Sequence, residues 1–453
     1  MSVYKRVVLI PDGFADDPIP ALNGKTPMEA AATPTLDSLA PRAALGRSFN
    51  VPDGMTPGSD VATLSVLGYD PTESYTGRAP LEAAAQNLEL GPNDWAFRCN
   101  LVCVENGVMR DFSAGHISTA EATALLAEIN ADVAPRWAEI APEIGGTVEF
   151  FPGVGYRNLM IFRPDGAKIS GDGSQMEGNR QDGQSGQVGQ DGRTGEKGQV
   201  GGDAAPFDAS TTTAPPHDYA DRSILDVLPR GKGGAALRRL MELCAERLAA
   251  SETNKKRIAN GELPATQCWL WGQGTRPRLV PFAEKFGFGP GAMITAVDLL
   301  RGIARNLGWE VLEVPGATGY VDTDYAAKGR AAADALDRFD VVCVHVEAPD
   351  EAGHEGDAEK KVAALEAIDR LTLPPILEKL RTFENWRLLI SPDHPTPVAI
   401  KTHSRGAVPW AVVGSDVAGD GFATYDETTG AASTRVFERG ADLAELFLKG
   451  NLQ

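Results

Sequence analysis

Residues 386–405, WRLLISPDHPTPVAIKTHSR, constrain the fold more than any other stretch. An apolar run, Leu388-Leu389-Ile390, stops at Ser391-Pro392, delivers Asp393 and His394 side by side, and is followed within one loop by His403. Apolar residues at consecutive positions read as a parallel strand buried on both faces. Such a strand needs helices on either side of its sheet, and in open α/β sheets ligands gather beyond the carboxyl ends of the strands. One carboxylate and two imidazoles there form a donor set suited to zinc, manganese or a similar divalent ion. Alone, an Asp-His pair in a loop is more often plain loop polarity, so the reading depends on whether the chain repeats the pattern.

The pattern recurs twice. RVVLIPDG (6–13) ends an apolar run at Asp12, which by itself reads as a turn aspartate before Gly13. DVVCVHVEAPD (340–350) delivers Asp350, with His354 four residues later in a DEAGHEGD loop. Of the six histidines, His354, His394 and His403 lie in these segments, whereas His345 falls inside its strand and reads as a packed core residue. The segment 52–71, PDGMTPGSDVATLSVLGYDP, adds Ser59 between a Gly/Pro approach and a helical apolar spacing. A serine there is usually a helix cap. The same position points a hydroxyl at the positive end of a helix dipole, where a phosphoryl group is stabilised and a nearby metal would make the oxygen a nucleophile. Three such strand ends beside one serine suit two ions sharing a site, an arrangement that clamps both oxygens of a transferred phosphoryl group.

Elsewhere, buried strands alternate with helices, which predicts an α/β fold with a mostly parallel sheet between helices. From about residue 77 the texture becomes α+β, with the cations Arg78, Arg98, His116 and Arg157 in loops or on strand edges. Singly each reads as a surface charge; together in a separate module they suggest a lid that binds anions. Residues 170–214 are rich in Gly, Gln, Ser, Asp and Thr, and glycine recurs every third position from Gly183 to Gly201. No proline falls within the triplets, so a flexible surface insertion is favoured over a collagen-like trimeric stalk. The predicted organisation is a core of residues 1–76 and 266–453 interrupted by a smaller α+β domain, 77–265.

A net charge of −19 argues against nucleic acid or an anionic membrane as the main partner. It leaves room for a small anionic substrate, because local cations and metals override the global sign. The five cysteines are odd in number and mostly far apart, which fits free thiols in a reducing cytoplasm. The apolar run before Pro11 is too short for a signal-peptide core or a membrane span.

Taken together, VVLIPDGFADDP, TPTLDSLA, TPGSDVATLSVLGYDP, GRAPLEAA, FRCNLV, SAGHIS, PPHD, WLWGQG, AVDLLRGIA, PGATGYVDTDY, SPDHPTP and THSRGAVPW resemble the cofactor-independent phosphoglycerate mutases of the archaeal type, in the alkaline phosphatase superfamily. The resemblance covers nearly the whole chain outside the glycine triplets. It implies an alkaline-phosphatase-like core carrying an inserted phosphotransferase domain. It further implies interconversion of 3-phosphoglycerate and 2-phosphoglycerate, without 2,3-bisphosphoglycerate, through a phosphoserine at Ser59. By position, Asp12, Ser59, Asp393 and His394 would hold one divalent ion, and Asp350, His354 and His403 the other. Manganese is the first choice, with zinc, cobalt or magnesium as alternatives. His116, Arg78, Arg98 and Arg157 would bind the substrate carboxylate and phosphate. One position departs from the family pattern: Pro290 stands where a lysine is expected, and Lys285 is the nearest substitute cation. The alternatives are a homoserine-kinase-like phosphotransferase, for which the chain lacks a P-loop or kinase glycine loop, and a non-catalytic interaction protein using the glycine triplets.

Overall fold

The computed structural model describes residues 4–164, 205–450 and 452; the glycine triplets lie outside the described residues, but 205–214, read from the sequence as part of the flexible insertion, are packed, with Phe207 buried in an apolar cluster with Phe97 and Phe162 and Thr212 hydrogen-bonded to Arg230. The chain packs into two units, Met1–Pro92 with Gln273–Gln453, and Asn93–Gly272. It first lays down β1 (Tyr4–Pro11) and β2 (Ala44–Ser48). The second unit comes next, with β3 (Trp95–Glu105), β4 (Val108–Asp111), β5 (Thr147–Val154), β6 (Arg157–Arg163) and β7 (Gln267–Thr275). The chain then returns with β8 (Gly291–Ile294), β9 (Glu310–Val311), β10 (Val341–Val346), β11 (Asn385–Ile390), β12 (Val408–Gly414) and β13 (Val436–Phe437).

The first unit is built on an eight-stranded sheet of order β13-β2-β12-β11-β1-β10-β8-β9. Pairing is parallel from β11 through β1, β10 and β8 to β9, and antiparallel only on either side of β12. The apolar runs have the predicted cause. Val7, Leu9, Val342, Val344, Leu388 and Ile390 enter one buried cluster, while Val8, Ile10, Val341, Cys343 and Leu389 enter another on the opposite face. Each central strand therefore buries both side-chain sets, and each aliphatic side chain so removed from water contributes about 1.5–3 kcal/mol.

Residues 77–92, assigned from the sequence to the insertion, pack in the first unit instead. The helix Arg78–Ala85 lies against the helix Asp298–Asn306. A Cβ at Gly302 would come within 1.9 Å of the Leu81 carbonyl oxygen, so the two backbones meet where neither has a side chain to spare. At the other boundary, residues 266–272 belong to the second unit, carried there by β7 pairing with β3. That unit is α+β: an antiparallel β4-β3-β6-β5 path whose inward residues Phe97, Cys99 and Leu101 pack with Leu125 and Ile129 of helix Thr119–Asp132 and Leu237 and Leu240 of helix Gly234–Ala250. All five cysteines are buried free thiols. Among the described residues no helix is long and apolar enough to cross a membrane.

Candidate active site

Register brings the three strand ends together. Leu9 of β1 pairs with Ile390 of β11, and Pro11 pairs with Val346 of β10, so the chains leaving these strands emerge at one edge of the sheet. Asp12 and Asp393 are fully buried and Asp350 is 3% exposed. The DEAGHEGD segment lies largely in a helix, Ala348–Glu355, rather than the expected loop; Pro349 stands in its first turn, and the four-residue spacing puts Asp350 and His354 on one face. Gly13 allows the closest approach. Its φ is +61°, and a Cβ there would sit 2.4 Å from Asp350 Oδ1, while its N–H donates to Asp393 Oδ1 at 3.1 Å.

Ser59 is the first residue of the helix Ser59–Val66, and Gly58 is its N-cap. The serine hydroxyl makes no cap bond. It donates to Asp12 Oδ2 at 3.1 Å and lies 3.2 Å from His394 Nε2. Around it ligand atoms gather in overlapping groups, two of which share His394 (Asp12, Asp393 and His394; Asp350, His394 and His403) and two of which share Glu347 (Asp12, His345 and Glu347; Glu347, Asp350 and Glu351). His354 Nε2 is 3.0 Å from His403 Nε2 and 3.1 Å from Asp350 Oδ2. The seven expected residues thus converge.

The electrostatics are those of crowded buried acids. Burial, then Asp393, Glu347 and Asp350, push the Asp12 carboxyl well above the usual carboxylate range. Burial and Asp350 raise Glu347 to about 8. Burial acts on Asp350 in the same sense, but hydrogen bonds from His354 and His403 outweigh it and hold that carboxyl well below its ordinary value. Asp350 in turn raises His354 to about 9. Asp12 Oδ1, Asp393 Oδ2 and Glu347 Oε2 are buried without a hydrogen-bond partner. Buried anionic oxygens in that condition cost several kcal/mol unless a cation meets them, so the donor set fits divalent ions.

Sequence reasoning passed over four neighbours. His345 is buried and hydrogen-bonded, as a core histidine should be, but its Nε2 partner is Asp12 Oδ2 at 2.8 Å. Glu347 comes directly after β10, a strand-end carboxylate that the same pattern could have found. Thr396 donates to Asp350, and its Oγ1 is 3.2 Å from His394 Nδ1. Lys328, fully buried, donates to the His345 carbonyl at 3.1 Å, and burial lowers its ammonium to about 8.

Lys285 does not supply a cation here. Its Nζ donates to the Gly68 carbonyl at 2.6 Å, past the far end of the Ser59 helix, and lies 4.2 Å from the Tyr69 ring centre. Pro290 precedes β8 and accepts from the Asp340 N–H just before β10, at the amino edge of the parallel strands. A lysine at position 290 would stand at the wrong end of the sheet to serve Ser59.

Of the four cations expected to bind substrate, Arg78 lies beside Ser59. A Cβ at Gly58 would be 3.1 Å from Arg78 Nη2 and 3.9 Å from His403 Nδ1. Arg98, His116 and Arg157 lie in the second unit. The Arg98 guanidinium stacks 4.0 Å from the Trp271 ring centre, and Arg157 sits 4.9 Å from that of Tyr156. His116 is exposed and closes a run of three residues at positive φ, Ala114 (50°), Gly115 (66°) and His116 (53°). Asp111 Oδ1 holds that turn by accepting from Ser113 N–H, Ser113 Oγ and Gly115 N–H at 2.7, 2.6 and 3.0 Å, and Arg257 Nη2 donates to the Ala114 carbonyl at 2.9 Å.

Comparison with known proteins agrees with this geometry. A family profile described as 2,3-bisphosphoglycerate-independent phosphoglycerate mutase matches residues 40–197. The 2,3-bisphosphoglycerate-independent phosphoglycerate mutase of Methanothrix thermoacetophila is 41% identical over 447 residues, spanning 98% of this chain and 100% of its own. The protein of Methanothermobacter thermautotrophicus named 2,3-bisphosphoglycerate-independent phosphoglycerate mutase 2 is 44% identical over 430 residues, 95% of this chain and 93% of its own. The cofactor-independent phosphoglycerate mutase from Thermoplasma acidophilum, at 21% identity, has the same fold with a TM-score of 0.63 over 98% of this chain and 99% of that one. With relatives so similar along the full length of both partners, this chain belongs to the family of 2,3-bisphosphoglycerate-independent phosphoglycerate mutases.

Proposed function

We propose that the chain interconverts 3-phosphoglycerate and 2-phosphoglycerate by passing the phosphoryl group through Ser59, with two divalent ions in the acidic site. The observation that carries the reading is the Ser59 hydroxyl, unspent on its own helix and in reach of both Asp12 and His394. Asp12, Asp393 and His394 would hold one ion beside Ser59, and Asp350, His354 and His403 the other; carboxylates with imidazoles suit manganese. When bound, such ions lower the pKa of the serine hydroxyl and neutralise phosphoryl oxygens.

The chain's own residues do the rest. Ser59 Oγ forms a bond to phosphorus as the bond to the substrate 3-oxygen breaks, and the serine proton ends on that oxygen. Glycerate then turns within the site. Its 2-oxygen attacks phosphorus, the bond to Oγ breaks, and the 2-hydroxyl proton returns to Ser59. Excluding water matters because a phosphoserine open to solvent would hydrolyse. We assign His116, Arg98 and Arg157 to the anionic groups of the substrate, since guanidinium forks match carboxylate and phosphate. The free, buried cysteines support a cytoplasmic setting.

Ser59→Ala should abolish turnover in a coupled assay with 3-phosphoglycerate and manganese, with the fold retained by circular dichroism. Acid-quenched wild-type enzyme should carry phosphate on the Ser59 peptide by mass spectrometry. Retained activity in the variant would refute the assignment.

A further inference from the structure

Asp60 is 2% exposed and sits next to Ser59 in the first turn of its helix. Its Oδ2 accepts from the Tyr75 hydroxyl at 2.7 Å and from Arg78 Nε at 3.0 Å, and its Oδ1 lies 3.5 Å from Arg78 Nη2. Asp60 and Arg78 form an ion pair with the carboxylate removed from solvent. A guanidinium has five N–H donors in a rigid fork, and the carboxylate engages only one side of it. Arg78 Nη2 comes so near the backbone preceding Ser59 that a Cβ at Gly58 would be 3.1 Å from it and 2.8 Å from Asp60 Oδ1. Glycine at 58 is thus the residue that lets the guanidinium reach the serine.

The surroundings supply the need. Asp12 accepts from the Ser59 hydroxyl, Asp393 and Asp350 gather with His394 beside it, and an arriving phosphoryl group adds negative charge to this acidic cluster. Lys328 spends a donor on a backbone carbonyl, and Lys285 lies at the other end of the helix. Arg78 is the cation held against the serine.

We propose that Asp60 and Tyr75 are positioning residues that fix Arg78 so that its guanidinium grips the phosphoryl group carried by Ser59. The inference rests on the Ser59 reading and assigns Arg78 to the phosphoryl group rather than to the carboxylate of glycerate. A long side chain held in place by a buried acceptor loses little freedom when the phosphoryl group arrives, which is where preorganisation enters the rate.

The test uses full-length, manganese-loaded enzyme and orthovanadate, a mimic of the transferring phosphoryl group. Asp60→Asn, Tyr75→Phe and Arg78→Lys are compared for kcat, KM, inhibition by vanadate, and the vanadate-induced rise in melting temperature. Asp60→Asn and Arg78→Lys should each weaken vanadate inhibition and lower kcat at least tenfold, with KM for 3-phosphoglycerate changed less. Tyr75→Phe should move the same quantities in the same direction by a smaller factor. It removes one hydrogen bond and no charge, so it reads the proposal even if Asp60→Asn does not fold. A melting temperature that falls while kcat and vanadate inhibition stay at wild-type values would overturn the proposal and leave a structural ion pair. Wild-type enzyme without phosphoserine would sink the Ser59 reading itself, whereas phosphoserine in wild type with unchanged vanadate inhibition in the variants would sink only this one.

Discussion

Ser59 shows how one side chain is freed for chemistry by its neighbours. Gly58 takes the N-cap position, so the hydroxyl is not drawn into the helix, and Asp12 and His394 meet it instead. The sequence left cap and nucleophile both open, because a motif cannot say where a hydroxyl points. In the second unit the run of positive φ at 114–116 makes a comparable point about backbone. Non-glycine residues in that region cost about 1–2 kcal/mol each and persist only where the surroundings dictate them. Asp111 does the dictating through three accepted hydrogen bonds. Asp111→Ala should therefore cost about 2 kcal/mol, lowering the melting temperature by about 4–8 °C, while Asp111→Asn retains most of the stability. Equal melting temperatures for Asp111→Ala and wild type in scanning calorimetry would contradict the role given to Asp111. Three of the site's carboxylates were legible because they end apolar runs. Glu347 ended one too and was missed, and His345 was hidden by its place inside β10.

At the scale of elements, strands were easier to read than the segments that leave them. β1, β10 and β11 announce themselves by unbroken apolar runs, but the segment carrying Asp350 and His354 reads as a loop from its glycines and is a helix. The helices around the sheet are tied together by buried polar groups, and one of these should make stability depend on pH. Glu427, next to the N-cap of helix Glu427–Ala432, accepts from Thr26 Oγ1 at 2.7 Å and Asp16 N–H at 3.1 Å, and burial raises its carboxyl from 4.5 to about 7. A folded-state value above the unfolded one means the fold binds the proton more tightly. The associated stability is complete below about 4.5 and is lost as pH rises through 7. Glu427→Gln has no proton to lose, so its melting temperature relative to wild type should climb between pH 5 and pH 8. A difference that stays constant across that range would contradict the assignment.

For the whole molecule, fold class was readable from the sequence because burial on both strand faces leaves a mark that helices and antiparallel sheets do not. The domain boundary was not. Texture changes near residue 77, yet helix Arg78–Ala85 packs on Asp298–Asn306, more than two hundred residues away, and only tertiary contact reveals it. The same limit applies to Pro290 and Lys285: position in sequence suggested a nearby cation, and sheet direction puts both away from Ser59. What unites the molecule is the claim that the aligned carboxyl ends of β1, β10 and β11 form a pair of cation sites around one serine oxygen. Metal stoichiometry tests it most directly. Protein stripped with chelator and dialysed against manganese should retain two ions per chain by elemental analysis, and the Asp350→Ala/His403→Ala double variant should retain one. A folded wild-type chain that holds no ion, or a double variant that still holds two, would contradict the account.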